Sequence, residues 1–247
     1  MPAFPTPEWI AATVPKRGNR VEENEDATAT SLDALRFAVS DGATEGWESG
    51  PWAARLVVSY VERPPTPTTF PDWLAAARNW ALPVAPGPVP WYAEAKQDEG
   101  SFATLVGLEL RRSRRGSGWA WRSVAIGDSC LLHVRGEELV LAIPLGSAEE
   151  FGNRPALVPS ATTRPCPEPQ WFAGRARPGD LFLLATDAAA VRLLAPAGLA
   201  EALTACRASL TAHTPAPIID WCRTVQHATN DDVTVLATRL PLAPEPS

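Results

Sequence analysis

Apolar residues fall in short runs along this chain, and the period of the runs changes from place to place. Residues 35–40 form a strand-like run. Trp52, Leu56, Val57, Tyr60 and Val61 then recur at helical spacing, so about 50–62 reads as an amphipathic helix, stopped by Arg63-Pro64-Pro65. Trp73, Leu74, Ala77, Trp80 and Ala81 predict a second helix after Pro71-Asp72, and a short helical piece is expected near 91–96. The middle turns to strands: 101–110, 118–126, 129–134 and 138–142, joined by tight turns. Residues 144–178 are rich in proline and read as an irregular, flap-like excursion. A strand at 181–186, helices near 199–210 and 218–227, a strand at 233–240 and a loose tail at 243–247 complete the chain. Helices segregated from antiparallel strands predict an α+β fold. The expected form is one domain over 1–247, a four-layer α-β-β-α sandwich of two antiparallel sheets flanked by helices.

Four strand-like runs carry an aspartate at one end. Residues 35–40 lead into Asp41-Gly42, 124–127 into Asp128 and 181–186 into Asp187, while Asp231 precedes 233–240. Aspartate is disfavoured in strands, and a single Asp after a strand often just starts a turn. Four in succession with the same apolar lead weaken that explanation. In antiparallel strands the start of one lies beside the end of its neighbour, so Asp231 can meet the other three. Gathered carboxylates repel unless protons or cations offset them, and oxygen-only clusters suit hard divalent cations such as magnesium or manganese.

Composition narrows the partners. A net charge of -6 argues against a general nucleic-acid or anionic-membrane binder. The basic run Arg111-Arg112-Ser113-Arg114-Arg115 precedes Gly116-Ser117-Gly118 and reads as a solvated hairpin tip. Cys130, Cys166, Cys206 and Cys222 form no zinc or Cys-x-x-Cys spacing, as expected of reduced thiols in a cytoplasmic protein. His133, His213 and His227 show no metal-ligand spacing, and His227 reads as a helix-end residue.

Several stretches together resemble the ordered motifs of metal-dependent protein phosphatases of the 2C type, the PPM family, and in particular its short bacterial members. They are Asn24-Glu25-Asp26-Ala27, Phe37-Ala38-Val39-Ser40-Asp41-Gly42, Gly100-Ser101-Phe102-Ala103-Thr104 and Ile126-Gly127-Asp128-Ser129. Pro178-Gly179-Asp180-Leu181, running on to Thr186-Asp187, and Asp231-Asp232-Val233-Thr234 complete the series. The resemblance covers about 24–240 and implies the same α-β-β-α sandwich. It implies Mn2+ or Mg2+ as cofactor, two ions with a third, weaker site. Asp41, Asp187 and Asp231 would be the catalytic metal ligands, joined by the Gly42 carbonyl; Asp128 with Asp187 would serve the third site. Glu25 and Asp26 would hold metal-bound waters.

The activity so implied is hydrolysis of phosphoserine or phosphothreonine by a metal-activated water, with no covalent nucleophile. The partners would be a phosphorylated protein, a Ser/Thr kinase or its targets, in bacterial signalling by a cytoplasmic monomer. Arg20 is the phosphate-binding candidate, one residue further from Glu25 than the family spacing, with Arg17 and Lys16 as alternatives. Ala43-Thr44 stands where many relatives have a histidine, and Asp187-Ala188 stands for Asp-Gly. A positive φ at Ala188 would strain it by roughly 1 kcal/mol. Two other functions remain open: a catalytically weak, phosphatase-like binding or regulatory domain, and a hydrolase of small phosphoesters on the same fold.

Overall fold

The computed structural model describes residues 6–44, 46–79, 100–113 and 118–242. The first part of the chain contains β1 (Glu8–Val14), β2 (Ala27–Ser31), β3 (Arg36–Ser40), α1 (Ser49–Glu62) and α2 (Phe70–Arg78). The middle contains β4 (Phe102–Ala103), β5 (Leu105–Arg112), β6 (Trp119–Ile126), β7 (Cys130–Arg135) and β8 (Glu138–Ile143). Then come β9 (Val158–Pro159), β10 (Gln170–Ala176), β11 (Leu181–Ala185), α3 (Asp187–Leu194), α4 (Gly198–Ala212), α5 (Ala216–Thr229) and β12 (Val233–Arg239).

Two five-stranded sheets result, in the orders β1-β12-β11-β7-β8 and β10-β6-β5-β3-β2, and every pairing is antiparallel. Strand alternation decides the layers. Phe182 and Leu184 of β11 face Phe37 and Val39 of β3 across the gap between the sheets, in a core shared with Leu108, Trp121 and Leu236. Leu183 and Ala185 point the other way, onto α3, α4 and α5 through Leu193, Cys206 and Trp221. Ala38, on the far side of β3, meets Trp52, Leu56 and Tyr60 of α1 and Trp73 of α2. The α-β-β-α sandwich predicted from the sequence is therefore present.

At the end of β11 away from the strand-tip aspartates, a buried polar knot ties the sheet. The Asp180 carboxylate accepts from both Nε and Nη2 of Arg135, at 2.9 and 2.8 Å, and from the Arg177 amide at 2.9 Å. His133 Nε2 lies 2.7 Å from the same carboxylate, its ring stacked on Phe182 at 4.5 Å. Burial opposes ionisation of Asp180, but Arg135, the Arg177 amide and His133 outweigh it and hold the carboxyl below its ordinary value. This gives His133 a structural place.

Several elements differ from the sequence reading. Residues 101–110 are split at Thr104 into β4 and β5. The stretch expected to be irregular, 144–178, contains β10, an edge strand on β6. Its pattern, Gln-Trp-Phe-Ala-Gly-Arg-Ala, is half exposed and lacks a continuous apolar run. β1 and β2 were not expected, for the same reason. α3 adds a third helix after β11. Ser113 N–H donates to the Gly118 carbonyl at 2.9 Å, closing the hairpin ladder around the basic run. Trp80, Ala81, the piece near 91–96 and the tail at 243–247 lie outside the described residues. No single helix among the described residues is long and apolar enough to cross a membrane.

Gly107 shows how tightly α1 sits on its sheet. A Cβ there would stand 2.4 Å from the Tyr60 ring. Gly107→Val should lower unfolding stability by about 2 kcal/mol or more in urea titration, through overpacking. An unchanged midpoint would mean that Tyr60 is not seated against β5.

Candidate functional site

The sandwich brings the strand-tip acids to one end. Ala27 pairs with Ser40, so Asp26 and Asp41 flank the same ladder end. Ala185 pairs with Val235 and with Cys130, which sets Asp187 beside the residues before β12 and the turn that holds Asp128. The closeness is registered in the charges. Asp41 is pushed well above its ordinary value, first by burial, then by Asp26, Asp187, Asp128 and Asp231. Asp187 is raised by burial and by Asp231, with the Ala188 amide and Lys16 acting against them.

Neutral hydrogen bonds hold these repelling groups. The Asp41 amide donates to Thr104 Oγ1 at 2.9 Å, and the Thr104 amide donates back to the Asp41 carbonyl at 2.8 Å. Thr104 Oγ1 also shares a 2.6 Å hydrogen bond with Ser129 Oγ, next to Asp128. Thr104 thus breaks the strand at β4/β5 and couples two of the acid-bearing turns. Thr186 Oγ1 donates to Asp26 Oδ2 at 3.0 Å and accepts from the Thr234 amide at 3.1 Å. Asp232 is buried and accepts from the backbone N–H of Lys16 at 2.7 Å and of Glu25 at 3.0 Å. It therefore fastens the β1–β2 connection to the start of β12.

Gly42 permits the tightest approach. A Cβ on it would lie 2.8 Å from the Glu25 carbonyl oxygen and 2.8 Å from the Ser49 carbonyl carbon, so only glycine fits between the β2 lead-in and the first turn of α1. Its amide donates to the Glu25 carbonyl at 3.1 Å.

Asp41, Asp128 and Asp187 line a cavity of about 220 Å³ together with Ala43, Thr104, Gly152, Asn153, Pro155 and Leu157. One wall is thus supplied by the proline-rich connection after β8. Asp26 Oδ1 and Asp128 Oδ1 are shut off from solvent without a hydrogen-bond partner. Two orphaned carboxylate oxygens in an all-oxygen acid cluster are the donor chemistry that a hard divalent cation satisfies. Among the described residues, however, no three acidic, histidine or cysteine side chains stand close enough to share one ion.

The remaining expected residues fall as follows. Glu25 Oε2 accepts from Thr44 Oγ1 at 2.7 Å at the mouth of the cluster. Arg20 is exposed on a 3-10 turn, Val21–Glu23, where its amide donates to Glu23 Oε2 at 2.6 Å. Arg17 is turned aside, its Nε donating to Asn230 Oδ1 at 3.2 Å. Ala188 takes no positive φ; it lies in the first turn of α3, where its amide donates to Asp187 Oδ1, so the expected strain is absent. His227 is exposed in the last turn of α5. All four cysteines are free, and burial pushes their thiols up, away from nucleophilic use. Thr104, Thr186 and Asp232 were not anticipated as anchors; the adjacent Thr-Asp and Asp-Asp pairs were the available signal.

No family sequence model matches the chain, and no curated protein matches it. Solved structures do. The Mycobacterium tuberculosis serine/threonine phosphatase PstP/Ppp superposes with a TM-score of 0.64 at 18% identity, over 96% of this chain and 99% of that one. The catalytic domain of the serine threonine protein phosphatase PstP in complex with two manganese ions gives 0.56 at 20%, over 96% and 100%. PppA, a key regulatory component of T6SS in Pseudomonas aeruginosa, gives 0.54 at 20%, over 95% and 99%. At these identities the likeness is one of fold: the chain has the fold of the PPM-type Ser/Thr phosphatases over nearly its whole length.

Burial and mutual repulsion make the cluster sensitive to pH. Asp128 is pushed from 3.8 up to about 6, by burial and by Asp187. Asp26 is pushed from 3.8 up to about 8, chiefly by burial, with the Thr234 and Thr186 hydroxyls pulling back and Asp232 and Asp187 adding to the rise. A carboxyl raised in the folded state stabilises the fold while protonated. That contribution is whole below the unfolded value and is lost as pH climbs through the folded one. The ion-free chain should therefore lose stability between about pH 4 and pH 8, seen as a thermal midpoint several degrees lower at the upper end in chelator. Asp26→Asn should flatten the dependence. A midpoint that rises over this range would contradict the assigned burial.

Proposed function

We propose that this chain is a divalent-metal-dependent phosphatase acting on phosphoserine or phosphothreonine in proteins. The observation that carries the reading is the gathering of Asp26, Asp41, Asp128, Asp187 and Asp231 at one end of a PPM-type sandwich, two of their buried oxygens without partners. Asp41, Asp187 and Asp231, with the Gly42 carbonyl, are the groups we assign to two Mn2+ or Mg2+ ions. Asp128 and Asp187 are assigned to a third, and Glu25 and Asp26 to waters on the ions. Bound there, the ions would acidify a water for attack on phosphorus and offset charge on the phosphoryl oxygens.

The chain's own residues do the rest. Thr104 and Thr186 keep Asp41 and Asp26 aimed inward against their repulsion. Arg20 is exposed, which leaves its guanidinium accessible to a phosphoryl group through a charge-assisted hydrogen bond. Gly152, Asn153, Pro155 and Leu157 narrow the cavity on one side and would touch the residues flanking a phosphorylated side chain. One observation favours the second reading, a phosphatase-like binding module with weak turnover: no three candidate ligands stand at one-ion distance in the described residues.

Phosphate release from p-nitrophenyl phosphate and from a phosphothreonine peptide, with Mn2+ added or chelated, separates the two. The phosphatase reading expects turnover that needs Mn2+ and falls about 100-fold or more in Asp41→Asn. Folded protein that binds the phosphopeptide without releasing phosphate would favour the binding module. Arg20→Ala should raise KM for the peptide about tenfold with kcat little changed. An unaltered KM would remove Arg20 from the substrate grip.

A further inference from the structure

Lys16 is the one residue of the β1–β2 connection whose cationic end turns into the acid cluster among the described residues. Its backbone is fixed on both sides. The Lys16 amide donates to Asp232 Oδ1, and the preceding Pro15 carbonyl accepts from Gln226 Nε2 at 3.1 Å. From that anchor the ammonium reaches across the cluster's mouth. It donates to Thr44 Oγ1 at 3.1 Å and lies 3.6 Å from Glu25 Oε2 and 3.9 Å from Asp231 Oδ1. Thr44 in turn donates to Glu25 Oε2. Three segments meet at this one charge: the lead-in to β2, the turn after β3 and the turn before β12.

Neither carboxylate needs a lysine for its own solvation. The Asp231 side chain is 51% exposed and that of Glu25 22%, so water reaches both. A surface ion pair contributes little, and ordering a lysine costs side-chain entropy. What Lys16 does change is the charge of the whole group: it places one fixed positive charge among carboxylates that otherwise only repel. It also pulls Asp187 back toward its ordinary value, although it makes no contact with it.

We propose that Lys16 is a tethered counter-ion of the acid cluster, a positioning residue that holds Glu25 and Asp231 in place while the site is ion-free and opposes the entry of divalent cations. The proposal rests on the reading of the cluster as a divalent-ion centre. A cation arriving at the aspartates meets the ammonium's repulsion, so the metal concentration needed for loading is set partly by a residue that binds no metal.

The test is a titration of free Mn2+, followed by its electron paramagnetic resonance signal, on the full chain and on Lys16→Met and Lys16→Arg. Lys16→Met keeps the length and removes the charge. It should bind Mn2+ about tenfold more tightly, as expected when one nearby like charge is removed. Lys16→Arg should return to the parent affinity. In chelator, Lys16→Met should melt several degrees below the parent, and with saturating Mn2+ the two should melt together. Should Lys16→Met fail to fold without ions, Lys16→Gln gives the same reading. Two ions bound with equal or weaker affinity in the charge-removed variant overturns the counter-ion role and leaves the metal centre standing. Parent protein that takes up no Mn2+ overturns the metal centre, and the competition with it.

Discussion

Repulsion among carboxylates brought together out of water is the constraint on which the rest of this structure depends. Asp41 feels four neighbouring aspartates, and burial raises it before any of them does. Such a group disperses unless covalent geometry and neutral hydrogen bonds oppose it. The sheets provide the geometry, since each acid sits within a residue or two of a strand end. Thr104 and Thr186 provide neutral bonds, and the Asp232 carboxylate, an acid of the same group, is held by the backbone amides of Lys16 and Glu25. A fold that accepts this arrangement without gain from it would be less stable than one with the acids replaced, which is why the cluster reads as a site.

The core explains why the acids can be held this way. Phe37, Val39, Leu108, Phe182, Leu184 and Leu236 interlock between the sheets, and α1 and α3–α5 close the outer faces. At the other end of β11, the Asp180 carboxylate is fully satisfied by Arg135, His133 and the Arg177 amide. The two ends of the same sandwich therefore treat buried acid in opposite ways. One acid is supplied with a guanidinium and hydrogen bonds and is held ionised. Asp26, Asp41, Asp128 and Asp187, at the other end, are crowded, partly orphaned and raised. Only the second condition leaves binding capacity for something from outside.

The layered fold and the four strand-tip aspartates were legible because continuous apolar runs bounded by Asp survive in one dimension. α1 and α5 were legible from helical spacing. β1, β2 and β10 were not, since an edge strand is half exposed and alternates weakly, as in Ala-Thr-Ala-Thr-Ser of β2. α3 escaped because its start, Asp-Ala-Ala-Ala, has little periodicity of its own and depends on burial of Ala188, Ala189 and Ala190 against the sheet. That helix also removes the strain anticipated at Ala188. The place of Lys16 beside Glu25 and Asp231 was not legible either. It is fixed by an amide hydrogen bond to Asp232, 216 residues away in the chain.

We propose that the strand-tip aspartates form a divalent-ion centre. Anomalous diffraction from crystals of the protein soaked in Mn2+ addresses it most directly. Two strong manganese peaks in contact with Asp41, Asp187 and Asp231 are expected. Peaks confined to other parts of the surface, or a cluster that stays empty at millimolar Mn2+ with its aspartates in place, would contradict it.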